Sequence, residues 1–306
     1  MSVVMLTGAS GFVGRHVARE AERRPVELRV MSHRKPVAAR GAAVVPADLG
    51  RPDSLRGVCE GVDVLVHCAA QIGGTEEANE AVNARGTTAL VAEAQRAGVS
   101  RIVLLSTASV YGRGVFRGDR PDELVRNPGS ATSRTRAVAE DAVLSAGGVV
   151  LRPHLIYGEG DTWVGPGLAD SLRVLAGSVA GWPSRMSVIS VRELATLVVD
   201  TALAPACALT ARVYHAAHPV PVTAERLLRA VAECAAIPWP QKEISLVEAR
   251  EALTRHGRST TALDMLTTDH FFDSIPLWND LRRVPDGDFD AGFSHAVPWY
   301  RQITQE

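Results

Sequence analysis

The chain opens with an unbroken apolar run, Val3-Val4-Met5-Leu6, and passes directly into Thr7-Gly8-Ala9-Ser10-Gly11-Phe12-Val13-Gly14. A short apolar run with no polar alternation predicts a strand buried on both faces. Residues 15–21 then follow a helical pattern. The same alternation recurs, with strands predicted at 26–31, 43–49, 62–70, 101–105 and 148–153. Helices are predicted between them, the two longest at 76–97 and 130–145. Strands alternating with helices predict an α/β chain, a Rossmann doubly wound parallel sheet with its site along the C-terminal edge. Residues 113–129, rich in Gly, Pro and charge, read as a loop bordering that site. Beyond Tyr157 the pattern loosens into a glycine-rich rim at 158–167, a helix near 168–175, a helix at 192–203 and a strand at 212–216. The predicted organisation is a dinucleotide-binding domain over 1–156, to which 187–216 returns. A smaller, mostly helical substrate lobe is built from 157–186 and 217–306.

The glycine-spaced turn gives this pattern its first chemistry. Glycines let a backbone turn tightly and approach an anion, and the N-terminus of the following helix favours negative charge. Gly8, Ser10, Gly11, Phe12 and Val13 are therefore expected around a dinucleotide pyrophosphate. The second predicted strand runs into Ser32-His33-Arg34-Lys35, which offers no acid for a ribose 2′-hydroxyl. His33 and Arg34 suit a 2′-phosphate, so NADP(H) is preferred and NAD(H) remains possible; the plainer alternative is a solvated basic loop. Asp48 closes the third strand as an acceptor for the adenine amino group, with Leu49 on the ring, or else as an N-cap for the turn that follows. Cys68, Ala69 and Ala70 are small enough for their backbone to lie flat against a cofactor. The fifth strand ends in the hydroxyl-rich Ser106-Thr107-Ala108-Ser109.

Composition narrows the class. With 306 residues, 46% of them hydrophobic, and a formal charge of −1, disorder and an electrostatic nucleic-acid surface are excluded. No apolar run reaches membrane-spanning length and the N-terminus carries no signal pattern, so a cytoplasmic, membrane-free protein is expected. Cys59, Cys68, Cys207 and Cys234 lack metal-type spacing and read as reduced core residues; no metal is expected. Trp and Phe residues between 271 and 299 suit either a core or a lid over a large aromatic small molecule.

Taken with Val82-Asn83-Ala84-Arg85-Gly86-Thr87 and Leu151-Arg152-Pro153-His154-Leu155-Ile156-Tyr157-Gly158, these motifs resemble the short-chain dehydrogenase/reductase superfamily. The likeness is to its extended, epimerase/dehydratase-like branch and runs along nearly the whole chain. The resemblance implies that Asp48 and Leu49 hold adenine and that the Cys68-Ala69-Ala70 backbone lines the cofactor. It further implies that Pro153 and Leu155 border the nicotinamide and that Thr107 is the catalytic hydroxyl on the substrate carbonyl. It also implies a monomer or a homodimer paired through the two long helices. The family's catalytic Tyr and Lys lie four residues apart, the Lys four before a Glu. With Glu140 as that Glu, Thr132 and Arg136 occupy their places. The only lysines are Lys35 and Lys242, and no tyrosine has a lysine four residues on.

A threonine alcohol is a far weaker acid than an activated phenol, and arginine stays charged. Thr132 would hold a water or substrate oxygen, or Thr132 or Ser133 would simply cap the helix. Arg136 would donate to the nicotinamide ribose, or be solvated. One function class is an NADPH-dependent ketoreductase whose proton comes from water, from His154 or Tyr157, or from a phenol on the substrate itself. In this the chain resembles the atypical ketoreductases of aromatic polyketide antibiotic pathways, such as angucyclinone 7-ketoreductases. The other class is a non-catalytic NADP(H)-binding sensor or partner protein.

Overall fold

The computed structural model describes residues 1–33 and 41–305. In chain order the first half comprises β1 (Ser2–Thr7), α1 (Phe12–Ala21), β2 (Val26–Ser32), β3 (Ala43–Pro46) and β4 (Val64–His67). It continues with α2 (Glu76–Asn79), a π-helical stretch (Glu80–Gly86), α3 (Thr87–Arg96), β5 (Arg101–Leu105), β6 (Phe116–Asp119), α4 (Ala131–Ser145) and β7 (Val149–Arg152). The main sheet has seven strands in the order 213–215, β7, β5, β4, β1, β2, β3, and every pairing in it is parallel. Successive side chains on a strand point to opposite faces, so an apolar run feeds two cores at once. Val4 and Leu6 pack with α1 and the helix Val191–Leu203, while Met5 packs under α3 and α4.

The second half builds its own core, in which Leu168, Leu172, Leu227, Val231 and Leu253 meet Tyr157, Phe289, Phe293 and Tyr300. Of the Trp and Phe residues between 271 and 299, Phe289 and Phe293 are buried in this core and in ring contact, whereas Trp278 is buried in the core of the main sheet and Phe272 in a small cluster with Tyr111 and Phe116. Trp163, on the glycine-rich rim, is the exposed one, at 66%.

Three elements differ from the expectation. The 113–129 segment is not wholly loop, because β6 joins a four-stranded sheet in the order 222–223, 185–186, 270–272, β6. Four residues are too few for alternation to declare them, and their partner strand lies some 150 positions downstream. The second half is accordingly less purely helical than its sequence pattern suggests. The helix expected over 76–97 is continuous in direction but carries a full π stretch in its middle. Cys59 and Cys234 are buried as expected, whereas Cys207 is exposed.

Candidate active site

Where β1 ends, Thr7 is fully buried and its Oγ1 lies 2.6 Å from Nδ1 of His67 at the end of β4. The same oxygen accepts the Ala69 N–H at 3.2 Å. Burial, with the Arg136 charge adding to it, drops the His67 pKa to about 3, so this imidazole is neutral. The bridge draws the β4 end against the glycine turn. Gly8 sits at φ +77°, and a Cβ there would lie 2.6 Å from the Ala69 nitrogen; a Cβ on Gly14 would collide with the Gly8 carbonyl. Only glycine closes this turn. Gly11 is the N-cap of α1, and no side chain caps that helix. The cradle and its uncapped N–H groups fit a pyrophosphate, which Ser10, Phe12 and Val13 would border.

At the adenosine end, Asp48 is already partnered. Its Oδ1 accepts the Gly50 N–H at 2.8 Å and its Oδ2 pairs with His33 Nε2 at 3.0 Å. The N-cap alternative is corrected: the short turn Pro52–Leu55 is capped at Arg51 with no side-chain bond, and Ser54 closes back on the Asp48 backbone. Leu49 is 6% exposed and belongs to the core beneath α3. Arg34 and Lys35 lie outside the described residues, so of the basic pair only His33 is placed. Cys68, Ala69 and Ala70 are half-buried along the sheet edge. Pro153 is buried, its carbonyl accepting the Ala108 N–H at 2.8 Å, and Leu155 faces the second core.

Among the catalytic candidates, Thr107 is half-buried at the end of β5 and caps the turn Ala108–Tyr111, accepting the Ser109 N–H at 3.1 Å. Its hydroxyl is 3.0 Å from Ser109 Oγ. Thr132 does not cap α4; Ser130 does, with Ser133 reciprocating in a capping box. The Thr132 hydroxyl instead donates to Asn79 Oδ1 at 2.9 Å. Arg136 is not solvated, as one alternative had it. It is 7% exposed and donates to the Leu105 carbonyl, and burial lowers its pKa to about 10, partly offset by Glu140 and Cys68. A cation is thus held under the end of β5, beside Cys68.

Of the two protein proton donors considered, neither suits neutral pH. Burial, with His270 and His215 nearby, drops the His154 pKa to about 3, and its Nε2 is buried without a partner. Burial pushes the Tyr157 phenol up, reinforced by Glu193, Asp288 and Asp290. The other tyrosines are committed: Tyr111 to Arg152 and His215, Tyr214 to Asp280, Tyr300 to Asp161.

The sequence reading missed a buried network behind Thr107. Glu140, fully buried, accepts from Ser106 Oγ and from Arg152 Nε at 2.9 Å, with Arg126 at 3.3 Å. Arg152 Nη1 reaches the Tyr111 hydroxyl at 2.7 Å, which is 2.7 Å from His215 Nε2. Arg152, ending the apolar run of β7, was the available signal; Glu140 sits in a helix of mixed polarity that marks no buried face. A cleft of about 490 Å³ opens elsewhere, lined among others by His16, Arg19, Tyr157 and Arg192. Among the described residues, none of the predicted cofactor positions, nor Thr107, Thr132 or Arg136, lines it. Among the described residues no His/Cys/Asp/Glu group could hold a metal, and no helix is long and apolar enough to cross a membrane.

Comparison with known proteins places this geometry. The family model described as NAD dependent epimerase/dehydratase family matches residues 4–180. The chain is 26% identical to the 2-alkyl-3-oxoalkanoate reductase of Stenotrophomonas maltophilia, covering 94% of this chain and 96% of that protein. It is 32% identical to the 4-hydroxy-2-methyl-3-oxo-4-farnesyl-3,4-dihydroquinoline-1-oxide ketoreductase of Stigmatella aurantiaca, over 55% of this chain and 54% of that one. In fold it is similar to the Bordetella bronchiseptica enzyme WbmH, solved in complex with NAD+, with TM-score 0.76, 20% identity and coverage of 99% and 100%. The chain therefore belongs to the NAD dependent epimerase/dehydratase family, in the extended branch of the short-chain dehydrogenases/reductases, and is an oxidoreductase that takes a nicotinamide cofactor.

Proposed function

We propose that this protein is an NADPH-dependent ketoreductase acting on a ketone of a large aromatic substrate, of the angucyclinone polyketide type. In this reading the proton comes from the substrate's own phenol or from water. The carrying observation is the state of the edge around Thr107. It offers hydrogen-bond donors and a buried cation, but the tyrosines are buried, the Thr132 hydroxyl donates its hydrogen bond to Asn79 and His154 is neutral.

When bound, the reduced nicotinamide supplies the hydride. The chain's share is alignment and electrostatics. The Gly8–Val13 turn holds the pyrophosphate, the Cys68–Ala70 backbone and Pro153 flank the ring, and His33 and Arg34 favour a 2′-phosphate. Thr107 holds the ketone oxygen, and Arg136 supplies positive potential where negative charge develops. A phenol hydrogen-bonded beside the ketone polarises the carbonyl and neutralises the alkoxide, so no protein acid is needed. Two of the similar proteins are named for reducing 3-oxo compounds, one of them on a dihydroquinoline ring.

The test mixes the protein and NADPH with hydroxylated anthraquinone-type ketones and follows nicotinamide absorbance. Oxidation of NADPH is expected with a ketone flanked by a free phenol, and at least about a tenfold loss when that phenol is methylated. Tight NADPH binding with no turnover on any ketone would instead favour the non-catalytic sensor.

A further inference from the structure

Thr132 stands at the register of the missing tyrosine, and its contacts assign it a different task. Its Oγ1 donates to Asn79 Oδ1 at 2.9 Å and accepts the Gly73 N–H at 3.3 Å. Asn79, 1% exposed, gives its amide hydrogens to the carbonyls of Gly73 at 2.8 Å and Thr75 at 2.9 Å. Four residues on, Asn83 is 2% exposed. It accepts the Gln71 N–H at 2.7 Å, and its Nδ2 donates to the Gln71 carbonyl at 2.9 Å and to Thr135 Oγ1 at 3.1 Å. Residues four apart on a helix share a face, so the two amides form one ladder at the head of the π stretch. Such interruptions of an α-helix cluster at functional sites.

The ladder grips both ends of residues 71–75. Between the grips lies Ile72, 61% exposed, followed by Gly73 and Gly74 at φ +67° and +77°. Ile72 thus stands in water at the tip of a firmly anchored turn. The turn leaves Cys68-Ala69-Ala70 directly and touches the N-terminal turn of α4, so it borders the same sheet edge as Thr107 and Arg136. Buried amides are costly to leave unsatisfied, and that cost is what keeps the turn in one shape.

We propose that residues 71–75 form a fixed strap along the substrate site, with Ile72 as its apolar contact for a flat ring system and Thr132 as the latch. Thr132 is then a positioning residue and Ile72 a specificity-determining one. The identity of the ligand as a flat ketone rests on the ketoreductase reading; the latch does not. A strap held before binding loses little entropy on binding, which favours rigid substrates over small flexible ones.

The experiment has two arms, both on the full chain. In the first, amide hydrogen exchange at Gly73 is compared in wild type, Thr132→Val and Thr132→Ser, with Thr132→Ala added should the valine variant not fold. Exchange about tenfold faster in Val or Ala, with Ser near wild type, is expected, because only serine keeps the hydroxyl. Unchanged exchange in the hydroxyl-free variant overturns the latch. In the second arm, the ratio of kcat/KM for a tricyclic hydroxyketone over acetophenone is measured. Ile72→Asp should lower that ratio about tenfold, and Thr132→Val should raise KM for the tricyclic ketone while its pH profile keeps its shape. An equal loss on both ketones for Ile72→Asp overturns the strap contact. A shifted acid limb in Thr132→Val, rescued by serine, overturns the positioning role by putting Thr132 in the proton path. Should wild type reduce no ketone, the ketoreductase reading falls, and the exchange arm still decides the latch.

Discussion

Gly8 and Glu140 carry the two sharpest demands that the fold makes on single residues. At φ +77°, with the Ala69 nitrogen where a Cβ would sit, Gly8→Ala strains its own backbone and pushes the end of β4 outward. Urea unfolding should show a loss of about 1–3 kcal/mol. NADPH fluorescence titration should show a weakening beyond about tenfold, because the displaced backbone is the proposed ring wall. Glu140→Gln leaves the buried Arg152 guanidinium short of its counter-charge and should cost about 3–5 kcal/mol of stability. Adding Arg152→Met should recover part of that loss in a double-mutant cycle; strictly additive losses would mean the pair is not coupled. Gly8 was readable from sequence because a strand, a glycine turn and a helix make one local motif. Arg136 was not: its partners are Leu105 at the end of β5 and Cys68 just beyond β4, far from it in sequence, while its own helix shows no apolar stripe to say which face is inside.

The helical run from Glu76 to Arg96 shows how much an element can hide inside a correct prediction. Its start, end and direction follow from the apolar spacing, yet seven residues of wider π pitch leave a pattern too short to separate from 3.6. The stretch ends at Gly86, where a Cβ would collide with the Leu49 carbonyl, so glycine lets the helix lie against the turn that bears Asp48. Gly86→Ala should push these apart and weaken NADPH about tenfold, while leaving the affinity for reduced nicotinamide mononucleotide, which has no adenosine, within about twofold. Equal weakening of both ligands would place the damage elsewhere than the adenosine end. β6 was hidden for the opposite reason: a four-residue strand owes its existence to pairing with 270–272, which no local window contains.

At the scale of the whole molecule, imidazoles sit at the seams between layers, His67 and His215 fully buried and His154 half-buried with its Nε2 shielded. His67 joins β1 to β4 and α3, His154 stacks on His270 between β7 and the four-stranded sheet, and His215 ties the edge strand to Tyr111. Burial is the leading cause of each shift, and the folded pKa values fall to about 3, 3 and 4 for His67, His154 and His215. Unfolded, each titrates near 6.5, so below that pH the unfolded chain binds protons that the fold refuses. Their contribution is therefore complete above about pH 6.5 and is lost as pH falls toward 4, by at most about 1.4 kcal/mol per histidine per pH unit. Glu93, Asp269 and Asp280, whose carboxyls are held below their ordinary range, add a loss of the same sign at lower pH. Urea midpoints should accordingly drop between pH 6.5 and 4.5, before any carboxylate is protonated in bulk. His154→Phe separates the two causes, since it keeps a ring in the stack, removes a buried Nε2 that has no partner, and takes one titrating group out of the window. The variant should match or exceed wild-type stability at pH 5 and show a shallower slope from 6.5 to 4.5. A slope equal to wild type would mean that His154 is protonated in the fold, and it would then return as a candidate acid for the reaction.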